Sequence, residues 1–287
     1  MPAGDGLNRV TRQVTNISKT IKNEGIGRFM THHVAPYVKG KYVNKAIPFL
    51  LHNKEEWQTR IWTVGNRRHE VKLFSTNYNE YASAKNIFEF LEEDYKNLNV
   101  SGKTVVDVGA NIGDTAIYFA LKGAKKIFAI EPYPHIYGIA RKNIDANGLW
   151  KKVTLLQIGI ASEPGEIRIN TDFVGSAGSV LKNFKEGQKV MVMTLEDFVK
   201  KYKIRDAVLK MDVEGSEYEI LMKSKNSVLS AFSEIIFEFH YGKTDVLSRK
   251  LRAAGFRIKA IGNERLAYNK ESEDPYLNLG IIHAVKA

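Results

Sequence analysis

Residues 104–132 read TVVDVGANIGDTAIYFALKGAKKIFAIEP, and this one stretch spells a strand, a tight turn, a helix and a second strand. Thr104 to Val108 is a short apolar run rich in β-branched residues, the composition of a buried strand. It ends at Gly109-Ala110-Asn111-Ile112-Gly113, small residues that let the chain turn sharply and let a ligand approach the backbone closely. Ile112, Ala116, Phe119 and Ala120 then recur at helical spacing. The second run, Lys126 to Ile130, closes on Glu131 and on Pro132, which stops the strand. A carboxylate some twenty residues past such a turn is where βαβ units hold the two hydroxyls of a ribose.

The spacing within the turn selects among nucleotide ligands. A dinucleotide site shows Gly-x-Gly-x-x-Gly around a pyrophosphate, whereas here the order is Asp107-x-Gly109-x-Asn111-x-Gly113 with Thr115 beyond. Asp107 sits just before the turn, placed to meet a ligand ammonium directly or through water. A ligand with an amino-acid end and a ribose fits both carboxylates, and S-adenosyl-L-methionine is such a ligand. The segment resembles motif I and the following acidic residue of class I methyltransferases, with Asn111 in place of the commoner middle glycine.

A second constellation follows the buried run Ala207 to Met211, which leads into Asp212-Val213-Glu214-Gly215-Ser216-Glu217. Ser216 with Glu219 three residues on has the form of a capping box, and Glu217 falls in the first helical turn, where a carboxylate favours the helix dipole. Asp212 and Glu214 have no such local reason, and ligands of open α/β sheets lie outside the carboxyl ends of the strands. The phrases VVDVGANIGD, LKMDVEGSEYEIL and EIIFEFH, with the EP after the second strand, resemble the FkbM family of S-adenosylmethionine-dependent methyltransferases over roughly Lys103 to His240. The resemblance implies a Rossmann-like class I sheet of seven strands whose last strand is antiparallel, a bound S-adenosyl-L-methionine, and transfer of methyl, usually to an oxygen. It also implies that Gln157, Ile158 and Gly159, at the end of the third strand, lie near the adenine.

His240 closes the run Glu234 to Phe239. An imidazole at a strand's carboxyl end, with an ordinary pKa near neutrality, is a candidate base beside Asp212 and Glu214. Asp212 is expected to serve both donor and chemistry. Asp212, Glu214 and His240 are also a potential set of ligands for a divalent metal, although their spacing matches no fixed metal motif and the expected metal content is none.

The 287 residues carry a formal net charge of +11 and no cysteine, so disulfides and thiolate metal sites are excluded. Thirteen basic and five acidic residues precede Glu80, placing +8 of the excess in a leading module over residues 1–79 and leaving 80–287 as the methyltransferase domain. Aromatic and histidine side chains interleave with those charges, a mixture that also suits RNA, tRNA included. The acceptor therefore has two readings, a hydroxyl of a small molecule or glycan, or a base in RNA; a noncatalytic donor-binding protein is a third. No apolar run approaches the length of a membrane span, and the start lacks a secretory signal, so a cytoplasmic protein is expected.

The remaining pattern continues the α/β alternation. Residues 57–64 and 69–75 read as a β-hairpin, 80–98 as a helix, 135–146 as a helix, and 153–158 as the third strand. Residues 165–170 and 188–193 read as two extra strands around a glycine-serine stretch at 173–179, an acceptor-side loop. Thr194 with Asp197 caps a helix, and 247–254, 256–261 and 278–285 supply a helix and the last two strands.

Overall fold

The computed structural model describes residues 55–64, 67–76, 84–169, 187–240, 242–268 and 276–287. Residues 1–54 of the leading module and the expected acceptor-side loop at 173–179 lie outside the described residues. The chain runs through β1 (Glu55–Val64), β2 (Arg67–Thr76), α1 (Ala84–Tyr95), β3 (Thr104–Val108), α2 (Asp114–Leu121), β4 (Lys126–Ile130), α3 (Pro134–Ala146) and β5 (Val153–Leu156). Three short strands follow, β6 (Gly159–Ile160), β7 (Gly165–Ile169) and β8 (Gln188–Met193). Then come α4 (Leu195–Tyr202), β9 (Ala207–Met211), α5 (Glu217–Lys223), α6 (Asn226–Leu229), β10 (Phe232–Phe239), α7 (Thr244–Ala253), β11 (Phe256–Tyr268) and β12 (Tyr276–Lys286).

Seven strands form one sheet in the order β11-β12-β10-β9-β3-β4-β5. The five strands from β10 to β5 are parallel, and β12 runs antiparallel between β10 and β11. Strand order reverses between β3 and β9, the switch point at which open α/β sheets bind ligands. The expected reversed last strand is thus present, longer at both ends than 278–285. The extra strands do not extend this sheet; β6, β8 and β7 make a separate three-stranded sheet.

Successive residues of each central strand face opposite layers, because side chains alternate with period two. Val105, Ile127, Ala129 and Val208 pack with α2 and α3 on one face, while Val106, Val108, Phe128, Ile130 and Leu209 pack with α4, α5 and α7 on the other. All are at most 3% exposed, which is why these strands read as nearly continuous apolar runs, interrupted inside by Asp107 and Lys210.

The sequence groups the β1-β2 hairpin with the leading module, yet its residues 56–75 belong to the same compact unit as residues 79–287. Two contacts explain this. Trp62 stacks on Tyr118 of α2 at 4.7 Å between ring centroids, and two asparagines one turn apart, Asn143 in α3 and Asn147 at its C-cap, bond the β2 backbone. The Asn143 amide pairs with both the N–H and the C=O of Phe74. Asn147 does the same to Lys72, at 3.0 and 2.7 Å. An edge strand with unsatisfied backbone groups is thereby closed by side chains.

Candidate active site

The turn after β3 is held open by backbone bonds. Gly109 and Ala110 both donate to the carbonyl of Ile130, at 3.0 and 2.9 Å, and Gly109 has φ +77°. A Cβ at this position would lie 1.8 Å from the Asp212 carbonyl oxygen, so only glycine lets the β3 turn rest against the end of β9. Asn111 continues in the left-handed region at φ 46°. Its N–H donates to Glu131 Oε2 at 3.0 Å, and the Tyr133 N–H donates to Oε1 at 2.9 Å. Glu131 is only 6% exposed. Burial pushes its pKa up to about 7 against the two N–H bonds that favour the charged form. Pro132 is buried behind it. The Glu131 N–H bonds the Leu156 carbonyl at 3.0 Å, which sets the exposed Gln157 at the neighbouring strand end, while Gly159 is buried in β6.

Asp107 does not face the crevice. It is fully buried, with Oδ1 ion-paired to Lys210 Nζ at 3.1 Å and Oδ2 accepting from Thr115 Oγ1 at 2.5 Å. Lys210 Nζ also donates to the Gly109 carbonyl at 2.8 Å. Burial disfavours this ammonium, but the Asp107 carboxylate outweighs it and raises the pKa. The ammonium that the sequence placed on Asp107 is therefore the chain's own, and Asp107 and Thr115 brace the turn from beneath. Gly113, at φ +83°, packs against Ala140 of α3.

Across the switch point, β9 and β10 bring the second group together. His240 Nε2 lies 3.3 Å from Glu214 Oε2 and 4.0 Å from Asp212 Oδ1, and Nδ1 lies 3.2 Å from Glu217 Oε1. Burial works against a charged ring, but the Glu214 and Glu217 carboxylates prevail and push the pKa up to about 11. The carboxylates beside both ring nitrogens favour the protonated ring, which makes a neighbouring carboxylate an alternative to His240 as the base. Glu214 sits at φ 55°, and its own pKa is raised because burial and Asp212 outweigh the ring.

Glu217 is the residue that sequence reading undervalued. Its side chain is buried and turns back to accept the N–H groups of Val213 at 2.7 Å and Gly215 at 3.0 Å. Ser216 makes no side-chain capping bond, so Glu217 closes this helix start in place of the expected box. Its appearance in a first helical turn gave no sign of the histidine 23 positions on.

The Methyltransferase FkbM domain matches residues 107–258, more than half of the chain. The chain belongs to the FkbM methyltransferase family. It is 29% identical over 138 residues to the hexuronic acid methyltransferase AglP of Haloferax volcanii, covering 47% of this chain and 55% of that one. It is 29% identical over 155 residues to the methyltransferase sdnD of Sordaria araneosa, covering 42% and 60%. The match thus takes in less than two thirds of either relative. Among solved structures, M. capricolum TrmK in complex with S-adenosyl-homocysteine overlaps 69% of this chain and 68% of its own, with TM-score 0.43 and 17% identity.

S-adenosyl-L-methionine is the cofactor of this FkbM protein, and the residues present fit it. The Gly109 turn, at φ +77°, brings the end of β3 directly against the end of β9 with no side chain between them. Each Glu131 oxygen, with one N–H bond apiece, keeps a lone pair for a ribose hydroxyl. Among the described residues no helix is long and apolar enough to cross a membrane.

Proposed function

We propose that this chain transfers the methyl group of S-adenosyl-L-methionine to a hydroxyl of a small molecule or glycan. The observation that carries the reading is the contact between the donor turn and the acid cluster: Gly109 lies directly against the Asp212 backbone, so a ligand in the turn abuts the carboxylates of Asp212 and Glu214. The similarity to a hexuronic acid methyltransferase favours a sugar-like acceptor.

The donor supplies a methyl group already activated on a sulfonium. Glu131 holds the ribose hydroxyls, Gly109, Asn111 and Gly113 shape the backbone around the ligand, and Gln157 and Gly159 flank the adenine. Asp107 and Thr115, with Lys210, keep the turn rigid. Asp212 or Glu214 takes the proton from the acceptor hydroxyl as its oxygen bonds the methyl carbon and the carbon–sulfur bond breaks. Orientation and exclusion of water account for most of the protein's contribution. A cytoplasmic setting belongs to the same proposal, since the reaction draws on a soluble metabolite.

The test is transfer of a labelled methyl group from the donor into a cell extract, followed by separation into glycan, small-molecule, lipid and RNA pools. Label in the glycan or small-molecule pool is the expected result. Label confined to RNA would shift the acceptor to the base reading and to the basic residues of 1–79, and no label in any pool would leave donor binding without catalysis.

A further inference from the structure

We propose that Asp212, Glu238 and His240 form a divalent-cation site at the carboxyl ends of β9 and β10, with the cation acting on the acceptor hydroxyl. This inference rests on the methyl-transfer reading above and deepens it. The ligand atoms of these three residues all lie within 4.8 Å of one another, about the span across two bonds of 2.3–2.6 Å to a hard cation. They come from two adjacent parallel strands and converge at the sheet end where the donor turn also sits.

The histidine turns an acidic group into a ligand set. His240 is 94% buried by its 6% exposure, and its two nitrogens have different neighbours. Nδ1 faces Glu217, which is anchored by the Val213 and Gly215 N–H groups. A carboxylate on one ring nitrogen fixes the ring orientation and leaves the other nitrogen to a metal, the arrangement found behind most ligating histidines. Nε2 is aimed at Asp212 and Glu214. Asp212 Oδ1 is a buried atom with no hydrogen-bond donor, the orphaned acceptor that a cation would satisfy.

Carboxylates with a single imidazole suit a cation that accepts both oxygen and nitrogen, and Mn2+ is the probe of that class. Held beside the donor, such a cation binds the acceptor's hydroxyl oxygen and lowers its pKa. The O–H proton passes to Glu214, the oxygen lone pair forms the new C–O bond, and the C–S electron pair leaves with sulfur. The products are the methyl ether, S-adenosylhomocysteine and a protonated Glu214.

The test needs no turnover. The full chain is stripped with a chelator and titrated with Mn2+, and the free ion is followed by its paramagnetic resonance signal; donor binding is measured separately by calorimetry. The expected result is uptake of one equivalent, weakened about tenfold or more by E238Q, and by E217Q, which faces His240 Nδ1 and is not itself one of the three cation ligands. No uptake, or uptake unchanged in both variants, overturns the assignment. E238Q retaining the donor's binding heat shows that the variant is folded. Donor heat without Mn2+ uptake sinks the metal site and leaves the methyl-transfer reading standing; Mn2+ uptake without donor heat does the reverse.

Discussion

A carboxylate at the floor of a crevice is costly to keep charged, and Glu131, its pKa pushed up to about 7 by burial, holds a proton that the unfolded chain has lost above its ordinary 4.5. The stability this contributes is present in full below pH 4.5 and is lost as pH rises through about 7, with Asp114, pushed up to about 6 by burial, acting in the same direction. Ribose hydroxyls donate to the ionised form, so donor affinity should rise between about pH 6 and 8, and calorimetry on Glu131→Gln should give a flat profile. Lys210 offers a second test. Lys210→Met leaves the Asp107 charge buried and unpaired, with an expected loss of about 3–5 kcal/mol in denaturant unfolding; Asp107→Asn in the same chain should recover part of it. Glu131, Asn111, Asp212 and Glu214 could be singled out as candidates from the sequence because they follow recognisable strand ends, whereas Glu217 was read only as part of a helix start. Lys210 was not, since a lysine inside an apolar strand declares no partner until Asp107 is seen on the adjacent strand, in register beside it.

At the scale of elements, the parallel strands were the most readable, because burial on both faces writes them as continuous apolar runs bounded by Gly, Glu-Pro or Asp. β3, β4 and β9 occupy the residues expected of them, and β8, half exposed in the small sheet, does so on an alternating pattern instead. Where the hairpin docks was not readable, for its attachment depends on two asparagines 69 and 75 positions away in sequence. The Asn143 amide also donates to the Ile112 carbonyl at 2.8 Å, tying β2 to the donor turn through one buried side chain. Asn143→Ala strands the Phe74 N–H and C=O and the Ile112 carbonyl, each costing about 1–3 kcal/mol if unpaired. A loss near the sum is expected in thermal unfolding, together with faster amide exchange in β2 and at Ile112. Intact β2 protection in that variant would contradict the docking account. The small sheet of β6, β7 and β8 was foreseen only as two strands, because a two-residue strand such as Gly159–Ile160 is too short to carry a period.

For the molecule as a whole, the strand order and the reversal at β3 and β9 put two independently read motifs at one sheet end. The sequence held both motifs but not their contact, which exists because Gly109 has no side chain to meet Asp212. That contact is why donor and acceptor chemistry are assigned to one crevice. The basic excess of residues 1–79 is a property of the chain that a solution assay can address directly: if it serves RNA, binding of bulk tRNA should weaken steeply with salt, since each neutralised phosphate adds to the slope. The central claim, that the crevice between the Gly109 turn and Glu131 holds S-adenosyl-L-methionine, is tested most directly by calorimetric titration of the full chain with that donor. The account predicts one equivalent bound, weakened about tenfold or more by Glu131→Ala through loss of charge-assisted hydrogen bonds. Folded protein that gives no heat with the donor or with S-adenosylhomocysteine, or that binds equally well without the Glu131 carboxylate, would contradict it.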